Sequence, residues 1–288
     1  MRIFVTGASG WIGSATTREL LAAGHQVVGL ARSDAAAGTV SGLGAEVVRG
    51  SLEDTDLLAA TARDSDGVIH LGYHHDFSQM TEAAALDRTA TDAMGAELDG
   101  KPLLFASGLI GVRTEDDRPE TGGHPRVANA ATSLALADGG VRVVAVRFAP
   151  TVHGQGDHGF VAELVRVARE RGVSAYVGDG ANAWPAVHVS DAARLVRLAL
   201  DAAAGAVVHA VAEEGVPTRT IAEAIGRGLG LPVESISPED AAEKLGWIGP
   251  FFSYDLTASS ATTRELLGWE PTGPTLLEDL DAGHYTKG

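Results

Sequence analysis

A three-glycine loop near the start of the chain constrains the fold more than any other feature. Gly7 and Gly10 lie between a short apolar segment, residues 3–5, and a segment with helical periodicity, residues 12–23. Gly13 is the second residue of that helical segment. In a strand–loop–helix unit, the first glycine permits a tight turn, the second lets the backbone approach a pyrophosphate, and the third lets the helix pack closely on the strand. Amide groups at the start of the helix then face the anion. The loop therefore predicts a dinucleotide site.

Short apolar segments rich in β-branched residues recur along the first half of the chain, with helical patterns between them. Such alternation implies βαβ units, a parallel sheet and helices on both faces of that sheet. We therefore predict an α/β fold, a Rossmann-type doubly wound parallel sheet with a small C-terminal substrate lobe. The predicted strands cover residues 3–5, 26–30, 46–49, 67–71, 102–106, 141–148 and 206–211.

The pattern changes after residue 150, where predicted helices at 160–171 and 191–203 flank a glycine-rich, aromatic stretch. We expect residues 1–152 to form the dinucleotide-binding domain, completed by about residues 188–214. The substrate-binding lobe is then expected to consist of residues 153–187 and 215–288.

Composition excludes several classes of function. A net charge of −16 would repel a phosphate backbone, so neither nucleic acid nor an anionic membrane is an expected partner. The chain has no cysteine, which excludes disulfides and thiolate chemistry, and its histidines show no HExxH pattern, so no metal is expected. We find neither a signal peptide nor the roughly 18–20 apolar residues of a membrane span. These features fit a cytoplasmic protein that acts on a small molecule.

The Gly-x-x-Gly-x-x-Gly spacing, taken with several later segments, resembles the short-chain dehydrogenase/reductase superfamily. The likeness is to its extended or atypical branch, the NAD-dependent epimerase/dehydratase-like proteins, and it covers nearly the whole chain. It implies a nicotinamide dinucleotide cofactor and hydride transfer. The segments are VIHL at 68–71, FAS at 105–107, RFAPTVHG at 147–154, WPAVHVSD at 184–191 and LLGWEP at 266–271.

The end of the second predicted strand indicates which nicotinamide cofactor is bound. An NAD enzyme has a carboxylate here that accepts the ribose 2′-hydroxyl. In this chain Ala31 is followed by Arg32 and Ser33, and a guanidinium can bind a 2′-phosphate through two hydrogen bonds. We therefore expect NADP(H), although the nearby Asp34 leaves NAD open.

The resemblance assigns further residues to the cofactor. Ser51 and Leu52 would flank the adenine, and Leu71 and Gly72 would line the path toward the nicotinamide. The predicted cofactor-binding residues are Gly7, Ser9, Gly10, Trp11, Ile12, Gly13, Arg32, Ser33, Ser51, Leu52, Leu71, Gly72, Pro150 and Val152.

The catalytic residues of the resembled family are only partly present. The resemblance implies a serine, a tyrosine and a lysine four residues after the tyrosine. Ser107 matches the serine, but residues 74–175 contain no tyrosine, and the helix expected to carry the pair reads PRVANAATSL at 125–134. Arg126 could replace the lysine as a fixed positive charge, although an arginine is a poor proton donor.

Tyr73, His74 and His75 follow the fourth predicted strand, and ligands of parallel sheets bind outside the carboxyl ends of strands. Tyr73 or a neighbouring histidine is therefore expected to contribute a proton, the alternative being that Tyr73 only packs over the cofactor. His153 could face the substrate pocket, whereas His70 and His188 are expected to be structural. The predicted catalytic residues are Ser107, Tyr73, His74 and Arg126.

The leading hypothesis is an NADP(H)-dependent reductase that moves hydride between nicotinamide and a small, largely apolar carbonyl or imine. A protonated imine needs less help from an acid than a ketone does. The alternatives are an NADP(H)-binding sensor or regulatory protein without turnover, and a sugar-nucleotide epimerase or dehydratase; a homodimer stays open. The aromatic residues expected to line an apolar pocket are Tyr176, Trp184, Trp247, Phe251 and Phe252.

Overall fold

The computed structural model describes residues 1–74, 79–118 and 125–286. A seven-stranded parallel sheet lies at its centre, in the order β3-β2-β1-β4-β5-β6-β10. The strand order reverses between β1 and β4, which is where doubly wound sheets bind ligands. The strands are β1 Arg2–Thr6, β2 Gln26–Ala31, β3 Glu46–Arg49, β4 Gly67–His70, β5 Pro102–Ser107, β6 Arg142–Phe148 and β10 Ala206–Ala210.

Helices cover both faces of this sheet. On one face α1 packs against α7, and on the other α4 lies between α3 and α5. The helices are α1 Trp11–Ala22, α2 Asp34–Gly42, α3 Thr55–Arg63, α4 Met80–Gly95, α5 Pro125–Leu134, α6 Phe160–Arg171, α7 Val189–Ala199, α8 Thr218–Leu229, α9 Ala241–Leu245, α10 Ile248–Phe252, α11 Ala261–Leu267 and α12 Leu276–Ala282. Within the described ranges, none of them is both long and apolar enough to cross a membrane.

Two small sheets carry the remaining strands. One has the order β11-β9-β7, with β11 antiparallel to β9, and the other pairs β12 with β8 in parallel. Their strands are β7 Thr151–His153, β8 Ser174–Val177, β9 Ala183–His188, β11 Glu213–Pro217 and β12 Val233–Ile236.

The alternation of side chains along β1 divides the core of the large sheet. Ile3 and Val5 are buried with the core that contains Leu20 of α1, while Phe4 is buried with the core on the opposite face. Both faces of the strand are thus apolar, as a parallel sheet covered by helices requires. A third core, which includes Trp184, lies among α6, α8, α10 and α12.

The predicted Rossmann-type parallel sheet is confirmed, and each predicted strand lies within two residues of an observed one. Two helices, α7 and α1, have ends that differ from the prediction. Helix α7 begins at Val189, because the His188 side chain accepts the Ser190 N–H as an N-cap, and it ends at Ala199 instead of residue 203. Ala23, expected on the buried stripe of α1, is the exposed residue that follows the helix.

The glycine loop has room for backbone only. A Cβ atom at Gly13 would lie 2.0 Å from the Gly7 carbonyl oxygen, and one at Gly7, whose φ is +69°, would lie 2.7 Å from the Gly72 nitrogen. The Gly10 N–H donates to the Gly7 carbonyl at 2.9 Å and closes the turn. The first helix can therefore approach the ends of β1 and β4 only because these positions lack side chains.

We expect Gly13→Ala to lower the free energy of unfolding by about 3 kcal/mol or more, because the added methyl group meets rigid backbone. Urea unfolding followed by circular dichroism measures the loss. The matched control is Gly38→Ala in α2, where an added Cβ would meet nothing within 4 Å. Equal stability of the Gly13 variant and this control would contradict the packing described here.

Candidate cofactor and active site

A cavity of about 1110 Å³ opens along the carboxyl ends of β1, β2, β4, β5 and β6. This volume is large enough for a dinucleotide together with a small second molecule. Of the residues predicted to bind cofactor, all except Ser33 line it, and all four predicted catalytic residues line it as well. Those lining residues are Gly7, Ser9, Gly10, Trp11, Ile12, Gly13, Arg32, Ser51, Leu52, Leu71, Gly72, Tyr73, His74, Ser107, Arg126, Pro150 and Val152.

The segment after β2 contributes Arg32 to the cavity, whereas the next two residues, Ser33 and Asp34, form hydrogen bonds elsewhere. Ser33 is the N-cap of α2, and its hydroxyl accepts the Ala36 N–H at 3.2 Å. The Asp34 carboxylate accepts from the Arg49 guanidinium at 2.7 Å. Neither Ser33 nor Asp34 lines the cavity, so Arg32 is the charged side chain that this segment contributes.

Trp11, the first residue of α1, ties the glycine loop to the strand after β6. Its indole Nε1–H donates to the Val152 carbonyl at 2.7 Å. The same ring lies against Gly154, where an added Cβ would be 3.3 Å from it. This hydrogen bond and this packing contact connect the glycine-loop wall of the cavity to the wall formed by residues 152–154.

A chain of hydrogen bonds through Thr6, His70 and Asp87 connects the end of β1 to the segment after β4 and to α4. The Thr6 hydroxyl accepts the Gly72 N–H at 3.0 Å and lies 2.6 Å from His70 Nδ1. The Asp87 carboxylate can only accept, so the His70 Nε2 that lies 3.2 Å from it is the donor, and Nδ1 can accept from the Thr6 hydroxyl. Burial raises the pKa of Asp87, but the hydrogen bonds from His70 and Asn129 and the nearby positive charge of Arg126 together outweigh burial and keep the pKa below its ordinary value. Asn129 of α5 also donates to Asp87, at 3.2 Å.

Ser107, at the end of β5, lines the same cavity as Tyr73 and Arg126. The Arg126 guanidinium lies 4.2 Å from the centre of the Tyr73 ring, a cation–π distance. Burial raises the pKa of the Tyr73 hydroxyl, and the charge of Arg126 partly opposes that rise. His74 is exposed at the cavity edge, and His75 lies outside the described residues.

Two of the five predicted pocket aromatics, Trp247 and Phe251, line the cavity, and Phe160 joins them. The centre of the Phe160 ring lies 5.6 Å from that of Trp247 and 5.2 Å from that of Phe251, both edge to face. We call these three side chains the aromatic wall.

The prediction was wrong for Tyr176, Trp184 and Phe252, which do not line the cavity. Trp184 and Phe252 are fully buried in the third core. Phe251 and Phe252 are successive residues of α10, and successive helical side chains point about 100° apart, so only one of them faces the cavity. Tyr176 lies beneath the Arg219 guanidinium, at 5.6 Å.

His153 is fully buried and does not line the cavity, so the expectation that it faces the substrate was wrong. Its Nδ1 lies 2.6 Å from an Asp279 carboxylate oxygen of α12. Burial lowers the pKa of the imidazole, although the contact with Asp279 partly opposes this. His153 thus joins β7 to the last helix.

Sequence reasoning missed several polar residues of the cavity. Asp157 and His158 belong to the glycine-rich loop between β7 and α6, and Glu163 lies in the first turn of α6. Arg118 and Arg147 also line the cavity; the Arg147 guanidinium donates to backbone carbonyls of the 114–117 segment. The signal for Arg147 was present, since a charged residue interrupts the apolar strand β6 near its carboxyl end.

Comparison with known proteins identifies the family. Residues 3–96 match the NAD dependent epimerase/dehydratase family. An uncharacterized protein of Schizosaccharomyces pombe is 46% identical over 297 residues, covering 99% of this chain and 100% of the relative. One of Saccharomyces cerevisiae is 43% identical over 295 residues, covering 99% of each. A more distant relative, at 27% identity over 323 residues and 97% and 99% coverage, is the 3-diazoavenalumate denitrifying reductase of a Streptomyces species.

Solved structures share the fold. The dTDP-glucose 4,6-dehydratase DesIV of Streptomyces venezuelae, with NAD bound, superposes with a TM-score of 0.76 at 22% identity, covering 99% of this chain and 96% of that one. The UDP-glucose 4-epimerase of Thermus thermophilus, also with NAD, gives 0.72 at 21% identity, with coverage of 99% and 98%. These likenesses establish the architecture and leave the substrate open.

Stability should decline as the pH falls, in part because of His153. Burial lowers the pKa of His153 in the folded state. The unfolded chain therefore binds a proton at this position more readily, and below about pH 6.5 this binding stabilises the unfolded state relative to the folded one. We expect the free energy of unfolding to fall less steeply between pH 7.5 and 5.5 in His153→Asn, whose amide can still donate to Asp279. Urea titrations at three pH values measure the slope, with the exposed His74→Asn as control. A slope equal to that of the wild type would contradict this role.

Proposed function

Because this chain belongs to the NAD-dependent epimerase/dehydratase family of the short-chain dehydrogenase/reductase superfamily, we propose that it is an NADP(H)-dependent oxidoreductase. It transfers hydride between nicotinamide and a small carbonyl or imine. The observation that carries the proposal is the continuity of one cavity, from Arg32 past the glycine loop and Ser107 to the aromatic wall. A reductase among the relatives supports hydride transfer.

The residues at the loop fit a dinucleotide. Backbone amides at the start of α1 face the cavity and would hold the diphosphate. Arg32 would bind a 2′-phosphate, while the nearby Asp34 carboxylate is paired with Arg49 and does not line the cavity. When bound, the cofactor supplies or accepts hydride at its nicotinamide ring.

Ser107 and Tyr73 are assigned to the reacting group. The Ser107 hydroxyl would orient the substrate carbonyl, since it stands at the end of β5, where the family serine is found. The Tyr73 hydroxyl would donate the proton that a carbonyl oxygen requires as hydride reaches its carbon. Arg126, stacked on the ring at 4.2 Å, stabilises the phenolate that remains.

The direct test is oxidation of NADPH by purified protein with a panel of aldehydes, ketones and cyclic imines, followed by absorbance. We expect turnover with at least one member of the panel. Tight NADPH binding without turnover of any member would contradict the oxidoreductase and favour a sensor.

Charge reversal at Arg32 tests the cofactor. We expect Arg32→Glu to raise the Kd for NADPH by about tenfold to a hundredfold, the loss expected for charge-assisted hydrogen bonds to a phosphate. The Kd for NADH should change much less, because NADH lacks that phosphate. Calorimetry with both cofactors measures the difference, and Arg18→Glu, an exposed arginine of α1 outside the cavity, is the matched control. An equal loss for both cofactors would contradict the assignment.

Removal of one hydroxyl tests the proton donor. We expect Tyr73→Phe to lower kcat for a ketone by about a hundredfold or more, because general acid catalysis is worth that much. The phenylalanine ring keeps the contact with Arg126. Steady-state kinetics should show no such loss in Tyr254→Phe, whose side chain is exposed outside the cavity. Retention of wild-type kcat in the Tyr73 variant would exclude this hydroxyl as the donor.

A further inference from the structure

The loop between β7 and α6 places Asp157 on the wall of the same cavity as the aromatic wall, three residues before Phe160. We infer that Asp157 and the aromatic wall bind a cationic nitrogen, so that the preferred substrate is an iminium ion on a hydrophobic body. This inference rests on the proposed hydride transfer and narrows its substrate class.

The Asp157 carboxylate is held rigidly. One oxygen accepts the Gly159 N–H at 2.6 Å, and the other accepts the Tyr285 hydroxyl at 2.9 Å. Tyr285 is itself fixed, because its hydroxyl accepts the Gly154 N–H at 3.2 Å. The His158 backbone N–H also contributes a hydrogen bond to this carboxylate. A carboxylate has about four acceptor sites, so one remains for a ligand.

The charge of Asp157 is only partly compensated by its neighbours in the part of the chain that the structure describes, of which the adjacent His158 is one. In the ranges that the structure describes, no lysine or arginine forms an ion pair with it. Burial raises the pKa of the carboxyl, which reflects the cost of a buried charge with too little compensation. A bound cation would supply the missing charge.

The aromatic wall suits the same ligand. Faces of indole and phenyl rings attract cations, and the attraction grows when water is excluded. The Trp247 indole is oriented by a hydrogen bond from Nε1 to Glu163 at 3.0 Å. Glu163 is not the counter-ion, because both of its oxygens accept from the Arg166 guanidinium, at 2.6 and 2.8 Å.

Besides Arg32 and Arg126, two more arginines line the cavity and define the competing case of an anionic ligand. The Arg118 guanidinium donates to the carbonyls of Glu115 and Asp117, and Arg147 donates to the carbonyl of Asp117 at 2.8 Å. Hydrogen bonds to backbone carbonyls use the Nη1 group of Arg118 and both Nη groups of Arg147. Of the carboxylates that line the cavity, Glu53 follows β3 and Glu163 is paired with Arg166. Asp157 is therefore the one close to Phe160 in sequence that has an acceptor site left.

The chemistry of an iminium fits the residues present. Hydride from the reduced cofactor forms the new C–H bond, and the electron pair of the C=N bond moves onto nitrogen. The product is a neutral amine, the cofactor is oxidised, and no proton is needed in this step. Reduction of an iminium therefore does not depend on the Tyr73 hydroxyl, as reduction of a ketone does, nor on the tyrosine and lysine that helix α5 lacks.

The test compares ligands of one shape and different charge on NADP-saturated protein. The probes are benzyltrimethylammonium, its uncharged carbon isostere neopentylbenzene, and the anion benzylsulfonate, with Kd measured by quenching of tryptophan fluorescence. We expect the wild type to bind the ammonium at least tenfold more tightly than either other probe. Asp157→Asn should lose this preference and bind neopentylbenzene as before, which shows that the cavity is intact. Glu170→Gln, which removes an exposed carboxylate of α6 outside the cavity, should keep the preference.

Equal binding of the ammonium and its isostere by the wild type would overturn the inference, whatever the variants do. Tighter binding of benzylsulfonate, or an equal loss of both probes in Asp157→Asn that folds normally, would overturn it as well. NADPH oxidation with N-methyl-3,4-dihydroisoquinolinium separates the two proposals. A preference for the cation without oxidation of NADPH by any substrate would contradict only the proposed oxidoreductase activity. Reduction of a ketone without a preference for the cation would contradict only the inference of a cationic substrate.

Discussion

The contact between backbones at the start of the first helix governs the rest of the structure. Helix α1 reaches the ends of β1 and β4 because Gly7 and Gly13 place no Cβ between the chains. This approach leaves the amides of the first turn facing open space at the reversal of strand order, where a doubly wound sheet offers a crevice. Every assignment of cofactor and substrate follows from that crevice.

Side chains from distant parts of the sequence then fix the walls of the cavity. Trp11 joins α1 to the strand that contains Val152, and Thr6 joins β1 to the loop after β4. Tyr285, near the C-terminal end, holds the loop that contains Asp157. The cofactor region and the aromatic wall therefore form one rigid enclosure, which is what hydride transfer between two bound molecules requires.

The features that the sequence predicts best are those that depend on local sterics and periodicity. The glycine loop and the parallel strands needed only spacing and hydrophobic pattern, whereas the helix at residues 125–134 is expected from the family resemblance. The choice between Phe251 and Phe252 could not be made, because it depends on how a five-residue helix is rotated against a core far away in sequence. Asp157 was missed for a similar reason, since its partner Tyr285 lies 128 residues further along the chain.

The most direct measurement of the central claim is calorimetry of the wild-type protein with NADPH and with NADH. We expect NADPH to bind saturably at one site per chain, with a lower Kd than NADH. Failure of the folded protein to take up either dinucleotide would contradict the assignment of the amides of α1 to a diphosphate, and with it the whole account of the cavity.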